Sequence, residues 1–225
     1  MRLIDASGPI YEGMWNYGPP FPRFKLKELN NPEWVDFTAY SEEFEGFSTV
    51  TGTYIDGPSH AFGLEKSYAI SDIPIERLFG IEAYVLKFNL NKLKKIGTRP
   101  CIMLSDIKNA EKKIIPDKSA IIFATGWGQH WDKSDFLTHN WFFQKEAVEY
   151  LVKKKPIMFI ADTPSFDNID AKQGIWDLIF NNNILIVAPL VNLEAIKNFR
   201  VRMYICPLKI LKTTGLPCRV IIEDQ

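Results

Sequence analysis

Three side chains capable of proton chemistry fall within seven residues of one another: Tyr54, Asp56 and His60, in the segment Thr51-Gly52-Thr53-Tyr54-Ile55-Asp56-Gly57-Pro58-Ser59-His60. Gly52, Gly57 and Pro58 allow sharp turns there, so one loop can bring the carboxyl of Asp56 against the imidazole of His60. An imidazole exchanges protons near neutral pH. A carboxyl beside it can orient the ring, or act as a base itself where apolar walls raise its pKa. A phenol such as Tyr54 can donate to a developing oxyanion. Dehydration, isomerisation and ring closure by proton transfer all lie within reach of this set, and none requires a metal. The competing reading is structural: Asp56 and His60 do no more than hydrogen-bond loop amides.

The remaining reactive residues are less suggestive. His130, in Gly126-Trp127-Gly128-Gln129-His130-Trp131, reads as a surface-loop histidine, and His139 as a structural one near a helix start. Ser165 lacks the G-x-S-x-G surroundings of a nucleophile elbow. Asp162 and Asp167 read as turn and supporting residues. The three cysteines, Cys101, Cys206 and Cys218, form no C-x-x-C pair, which argues against a disulfide framework or a structural zinc site.

Positioning these residues requires a folded core, and the composition supplies one. The chain has 225 residues, 46% of them hydrophobic, enough for one domain over residues 1–225. Sixteen Phe and six Trp suit a packed interior and a lined pocket. Acidic and basic residues balance at 27 each, so no general attraction to nucleic acid or anionic membranes is expected. The lysine runs at 94–95 and 153–155 read as solvated faces. No signal peptide is evident, and apolar runs such as Ile157–Ala161 are too short to span a bilayer. A cytoplasmic protein with reduced thiols is the expectation.

Buried strands are predicted at Phe47–Tyr54, Ala83–Lys87, Ala120–Ala124, Ile157–Ala161 and Ile184–Ala188. Helices are predicted at Trp141–Lys154, with Asn140 as N-cap, at Gly174–Asn181, stopped by Asn181–Asn183, and at Leu193–Asn198. The strand–helix alternation of the second half favours a parallel sheet, and so a mixed α/β domain. The first forty residues, rich in Pro, Gly and aromatics, form no regular helix. They read as an extended arm ordered by packing of Trp15, Tyr17, Phe21 and Phe24.

The loop resembles the H-x-G-T-H-x-D-x-P-x-H motif of the cyclase family, which includes bacterial kynurenine formamidases and isatin hydrolases. Gly52, Thr53, Asp56, Pro58 and His60 match; Val50 and Tyr54 stand at the first two His positions. Further pieces resemble the family in the same order: Ile4-Asp5-Ala6-Ser7; Ala124-Thr125-Gly126-Trp127 with Trp131; Ile160 through Asp167; and Pro207-Leu208 with Gly215-Leu216-Pro217-Cys218-Arg219. The resemblance implies a metal pair held by the loop histidines, the Asp, and a later His and Glu, whose positions fall here on Trp176 and Ala188. Four of those five ligands are thus replaced, by Val50, Tyr54, Trp176 and Ala188. Val, Trp and Ala give a divalent ion nothing to bind, so no Zn or Mn cofactor is expected.

What the resemblance leaves is His60 as proton donor and acceptor, with Asp56 and Tyr54, beside an apolar cavity. Trp15, Val50, Trp176 and Ala188 are expected to line it against a small cyclic or aromatic substrate. The implied fold is a swivelling β/β/α domain: a mixed central sheet packed on a second antiparallel sheet, helices on the outer face. The implied assembly is a homodimer or homotetramer. The implied function is metal-independent hydrolysis, dehydration or cyclisation, or, alternatively, ligand binding or oligomer formation by an inactive member.

Overall fold

A computed structural model describes residues 1–224 of the chain. Its strands are β1 (Arg2–Asp5), β2 (Lys25–Leu29), β3 (Ser41–Glu45), β4 (Tyr54–Asp56), β5 (Phe79–Lys87), β6 (Lys94–Ile96), β7 (Arg99–Ile102), β8 (Ala120–Ala124), β9 (Phe142–Phe143), β10 (Met158–Ala161), β11 (Leu185–Ala188), β12 (Arg200–Pro207) and β13 (Gly215–Asp224). The helices are α1 (Ser59–Phe62), α2 (Leu104–Ala110), α3 (Lys145–Val152) and α4 (Ile175–Asn181), with short 3₁₀ turns elsewhere. None of the helices is long and apolar enough to cross a membrane, among the described residues.

The chain is mixed α/β, as its strand–helix alternation predicts. β5, β8, β10 and β11 pair in parallel, with α3 and α4 in the connections between β8, β10 and β11. The antiparallel strands expected to form a second sheet are instead continuous with these. The order is β1-β13-β12-β5-β8-β10-β11-β4, and β4 pairs back onto β13, so seven strands close on themselves. The length of β13 makes this possible. Its residues 215–217 pair with β4, while Cys218 through Glu223 pair with β12. Closure leaves no open edge between β4 and β13, which removes a row of unpaired backbone groups. Two small sheets, β2-β3 and β6-β7-β9, stand apart.

Alternate residues of each strand serve two cores. In β8, Ala120, Ile122 and Ala124 join the cluster enclosed by the closed sheet, with Ile55, Val187 and Leu216. Ile121 and Phe123 join the second cluster, with Ala147, Val148 and Leu151 of α3 and Ile175 and Ile179 of α4. The first cluster is mostly aliphatic. The second is rich in large rings, which fill the wider space beneath the helices.

Three sequence expectations shift. The strand expected over Phe47–Tyr54 is absent up to residue 53, where Gly52 sits at φ +73 in a left-handed turn, and β4 starts only at Tyr54 and runs to Asp56. The helix expected from Trp141 starts at Lys145, because Phe142 and Phe143 pair with β7. Asn140 is therefore not its cap. Its buried amide donates to the Trp141 and Ser165 carbonyls and to Thr163, and its oxygens accept from Arg99. The last predicted helix shortens to a 3₁₀ turn at Leu193–Ala195. α4 agrees with expectation and ends at Asn182 and Asn183, the latter at φ +56.

Two buried carboxylates fasten the frame. Asp162 accepts from Thr125 N and Oγ1, Gly126 N and Trp141 Nε1, joining the ends of β8 and β10. Asp167 accepts from the backbone N–H groups of Gln173, Gly174 and Ile175, where its charge also complements the start of α4. Thr53 fastens the site loop. Its hydroxyl donates to the Pro189 carbonyl at 2.6 Å and accepts from Gly8 N–H at 2.9 Å, both buried. Thr53→Val keeps the shape but leaves both backbone groups unpaired. The expected cost is about 1–3 kcal/mol. In a chain of this size that lowers Tm by roughly 2–4 °C per kcal/mol in a calorimetric melt. An unchanged Tm would show that the tether contributes nothing.

Candidate active site

Of the β4 side chains, Ile55 points into the enclosed core, so Tyr54 and Asp56 lie on the opposite face. Asp56 is opposed by Ile186 on one side and Gly215 on the other. A Cβ at position 215 would lie 2.1 Å from Asp56 Oδ1, so only glycine leaves room for the carboxyl. Asp56 is buried, and its Oδ1 has no hydrogen-bond partner. His60 follows the Gly57-Pro58 turn on α1, its N–H bonded to the Gly57 carbonyl. His60 Nδ1 stands 3.6 Å from Asp56 Oδ1, just beyond hydrogen-bond length, and its side chain is 42% exposed. The ring also faces Phe180, centroid to centroid at 6.3 Å. The sequence-predicted carboxyl–imidazole pair is therefore brought together, with one partner sealed in and the other open to solvent.

Burial acts on the two in opposite directions. It raises the Asp56 carboxyl well above its usual range, and it lowers the His60 imidazole below its ordinary value. Both shifts favour the uncharged forms, a neutral acid facing a neutral base.

Tyr54 makes a different contact from the one expected. Its hydroxyl lies 2.9 Å from that of Tyr17, which donates to the Pro164 carbonyl at 3.1 Å. Tyr17 has one proton, so Tyr54 is the donor between the two. Burial raises the pKa of both phenols. The Tyr54 proton is thus committed to Tyr17 rather than free for an oxyanion. Tyr17 itself carries no motif signal; its place in an aromatic arm was the only indication in the sequence.

The four apolar-lining candidates separate into three environments. Val50 and Trp15 share a crevice of about 20 Å³ with Tyr17, room for about one water. Trp15 packs edge-on against Tyr17 and Trp131, and its buried Nε1 has no partner. Ala188 stands opposite Tyr54 in the β4–β11 ladder. Trp176 stacks between Phe166, at 5.7 Å and 1°, and Phe180, at 6.0 Å and 23°. The single apolar cavity expected beside Asp56 is divided among these packings.

A metal pair does not fit these residues. Val50 and Ala188 have no donor atoms, the indole of Trp176 offers only N–H, and the Tyr54 proton is engaged. Among the described residues, no three of His, Cys, Asp and Glu cluster so as to hold an ion. The other candidates are occupied locally. His130 lies 3.1 Å from Asp135 and stacks on Trp127 at 4.1 Å. His139 contacts Thr138, and Ser165 donates to the Asp167 carbonyl. Cys101 is buried, and burial pushes its thiol up to about 11, away from the nucleophilic thiolate.

The family model for Cyclase matches residues 4–168, which include the whole β4–α1 loop. The chain belongs to the Cyclase family. No curated protein matches the sequence. Solved structures share the fold of this Cyclase-family chain. Isatin hydrolase A from Labrenzia aggregata superposes at TM-score 0.82 with 20% identity, covering 100% of this chain and 94% of that one. Isatin hydrolase A from Ralstonia solanacearum gives 0.81 at 20%, covering 100% and 92%. A predicted metal-dependent hydrolase from Bacillus stearothermophilus gives 0.77 at 23%, covering 100% and 98%.

The raised pKa of Asp56 makes a stability prediction for this Cyclase-family chain. Well below its unfolded pKa, the carboxyl is neutral in both states and burial carries no ionisation penalty. Above that value the unfolded chain releases the proton while the folded chain keeps it, so stability falls until the folded pKa is passed. Asp56→Asn does not titrate. Its Tm advantage over the parent is expected to widen as pH rises from about 4 to about 7. A constant difference over that range would mean that Asp56 ionises normally in the folded protein.

Proposed function

We propose that this chain is an enzyme acting on a small cyclic or aromatic substrate by metal-independent acid–base chemistry at His60 and Asp56. The observation that carries the reading is the buried, unpartnered Asp56 Oδ1 facing a half-exposed imidazole at 3.6 Å. Family membership and the fold shared with isatin hydrolases support hydrolysis or cyclisation of an amide-like ring as the reaction class. The same likeness supports a swivelling-domain assignment in which the antiparallel strands join the parallel ones in a single closed sheet. The resemblance supports a homodimer or homotetramer; the balanced charge argues against a nucleic-acid or membrane partner, and unpaired cysteines suit the cytoplasm.

In this mechanism neutral His60 takes a proton from water or from a substrate O–H or N–H at its exposed edge. As the imidazolium forms, Asp56 Oδ1 gains a charge-assisted partner and closes the remaining gap. The same imidazolium returns the proton to the leaving atom. Asp56 is the positioning group: it is buried, its side chain 5% exposed, and its Oδ1 accepts from the Nδ1–H of the imidazolium. No step draws on a metal, since four of the five implied ligand positions lack ligands.

Isatin and N-formylarylamines are suitable probes, after dialysis of the protein against a chelator. Turnover is expected to survive dialysis and to fall by about 100-fold or more in His60→Ala. Its acid limb is expected to lie below the ordinary histidine range, because burial lowers the His60 pKa, and to vanish in that variant. Activity lost on dialysis and restored by zinc or manganese would sink the metal-free reading. So would an unimpaired His60→Ala.

A second reading rests on one observation. Tyr54, Tyr17 and the Pro164 carbonyl form a hydrogen-bonded chain beside a crevice of about 20 Å³ that Val50 helps line. A chain so filled suits an inactive relative that binds a ligand or its own copies. Absence of turnover across the probe panel, with a probe still raising Tm, would favour it.

A further inference from the structure

A second cavity, of about 370 Å³, opens between the end of β5, the turn after it, the end of α2 and the turn before β12. Its size falls within the range of small-ligand sites, about 300–1,000 Å³. Five lysines line it, Lys87, Lys92, Lys112, Lys113 and Lys197, against a single carboxylate, Asp106. In a chain whose charges cancel overall, this one cavity thus carries an excess of four positive charges, five less one. Asp106 is already engaged, accepting from the Met103 N–H at 2.8 Å. The nearby Asp224 accepts from Lys197 N–H, Asn198 N–H and the Asn198 amide, and the charge on Lys87 helps hold its pKa low. Among the described residues, none of the five lysines has a carboxylate within ion-pair distance. Lys87 donates to the Ile196 carbonyl, and Lys113 lies over the Phe199 ring at 6.0 Å.

The floor is apolar: Val85, Phe88, Leu93 and Phe199. Phe199 is held edge-to-face by Tyr84 at 5.6 Å. A bare inorganic anion would use the lysines and leave these rings idle. A nucleic-acid strand needs a basic track along the surface rather than one charged hollow. A compact ligand with several negative oxygens at one end and a flat apolar body at the other uses both parts.

We propose that this cavity binds a small phosphorylated ligand with a flat ring, of the nucleoside diphosphate class. The lysines hold the phosphates, and Phe88 and Phe199 pack against the ring. The site is independent of Asp56 and His60 and uses none of their residues.

Calorimetric titration of the full chain at low ionic strength with ADP, pyrophosphate and adenosine tests this. ADP is expected to bind saturably, with pyrophosphate and adenosine each weaker by at least about tenfold. Lys112→Gln/Lys113→Gln is expected to weaken ADP by at least about tenfold, while Lys25→Gln/Lys27→Gln on the exposed β2 leaves it unchanged. Phe199→Leu, with its fold checked by Tm, is expected to weaken ADP and leave pyrophosphate unaltered. Absence of saturable ADP binding would overturn the proposal. So would pyrophosphate binding as tightly as ADP, or equal losses in the two lysine pairs.

Discussion

The double pairing of β4 is the constraint on which the rest depends. Tyr54, Ile55 and Asp56 are held by β11 on one side and β13 on the other. Those few backbone contacts close the seven-stranded sheet, and they also fix the side chains of the site. Ile55 is locked into the enclosed core, which forces its two neighbours outward. The close approach of Gly215 then leaves Asp56 a narrow slot, and the turn at Gly57-Pro58 delivers His60 to its mouth. Site and fold are therefore one piece of geometry, and the strand cannot slip by a residue without turning Asp56 into the core.

The electrostatics follow from that slot. A buried carboxyl whose Oδ1 receives no donor favours its neutral form. Burial raises the Asp162 carboxyl too, but there hydrogen-bond donors work against the rise. Asp162 and Asp167 each receive several N–H or O–H donors and serve as fasteners. Oδ1 of Asp56 receives none. The contrast separates a group that holds the frame from one left available.

Much of this was legible in the sequence. The alternation of Ile- and Val-rich runs with helical stretches located β8, β10, β11 and α4 closely, and β5 from Ala83 onward, because buried parallel strands are short, apolar and sharply bounded. The Asp56–His60 meeting was legible because a turn of fixed residue types separates them. Other features were not. Closure of the sheet depends on β13 pairing along two different stretches, and no local pattern encodes a partner change within one strand. Phe142 and Phe143 read as the first turn of a helix, yet they pair with β7, an outcome decided by distant residues. Tyr17 lies 37 residues before its partner Tyr54, in an arm with no periodicity. The division of the expected cavity is a matter of how large rings pack, which residue types alone leave open.

The Trp176 stack also bears on history. If the ancestor carried a ligating histidine at that position, as the resemblance implies, the indole now does structural duty between Phe166 and Phe180. A single reversion to histidine would shrink a packed ring and place one imidazole beside a site still missing three ligands. Reverting Ala188 or Val50 alone would put a polar group into a buried apolar position. Each first step back either loses packing or buries a polar group, and none recovers a metal, because affinity arises only when several ligands are present together. The altered site is therefore held in place as if by a ratchet, and later change is channelled toward whatever the remaining carboxyl and imidazole can do.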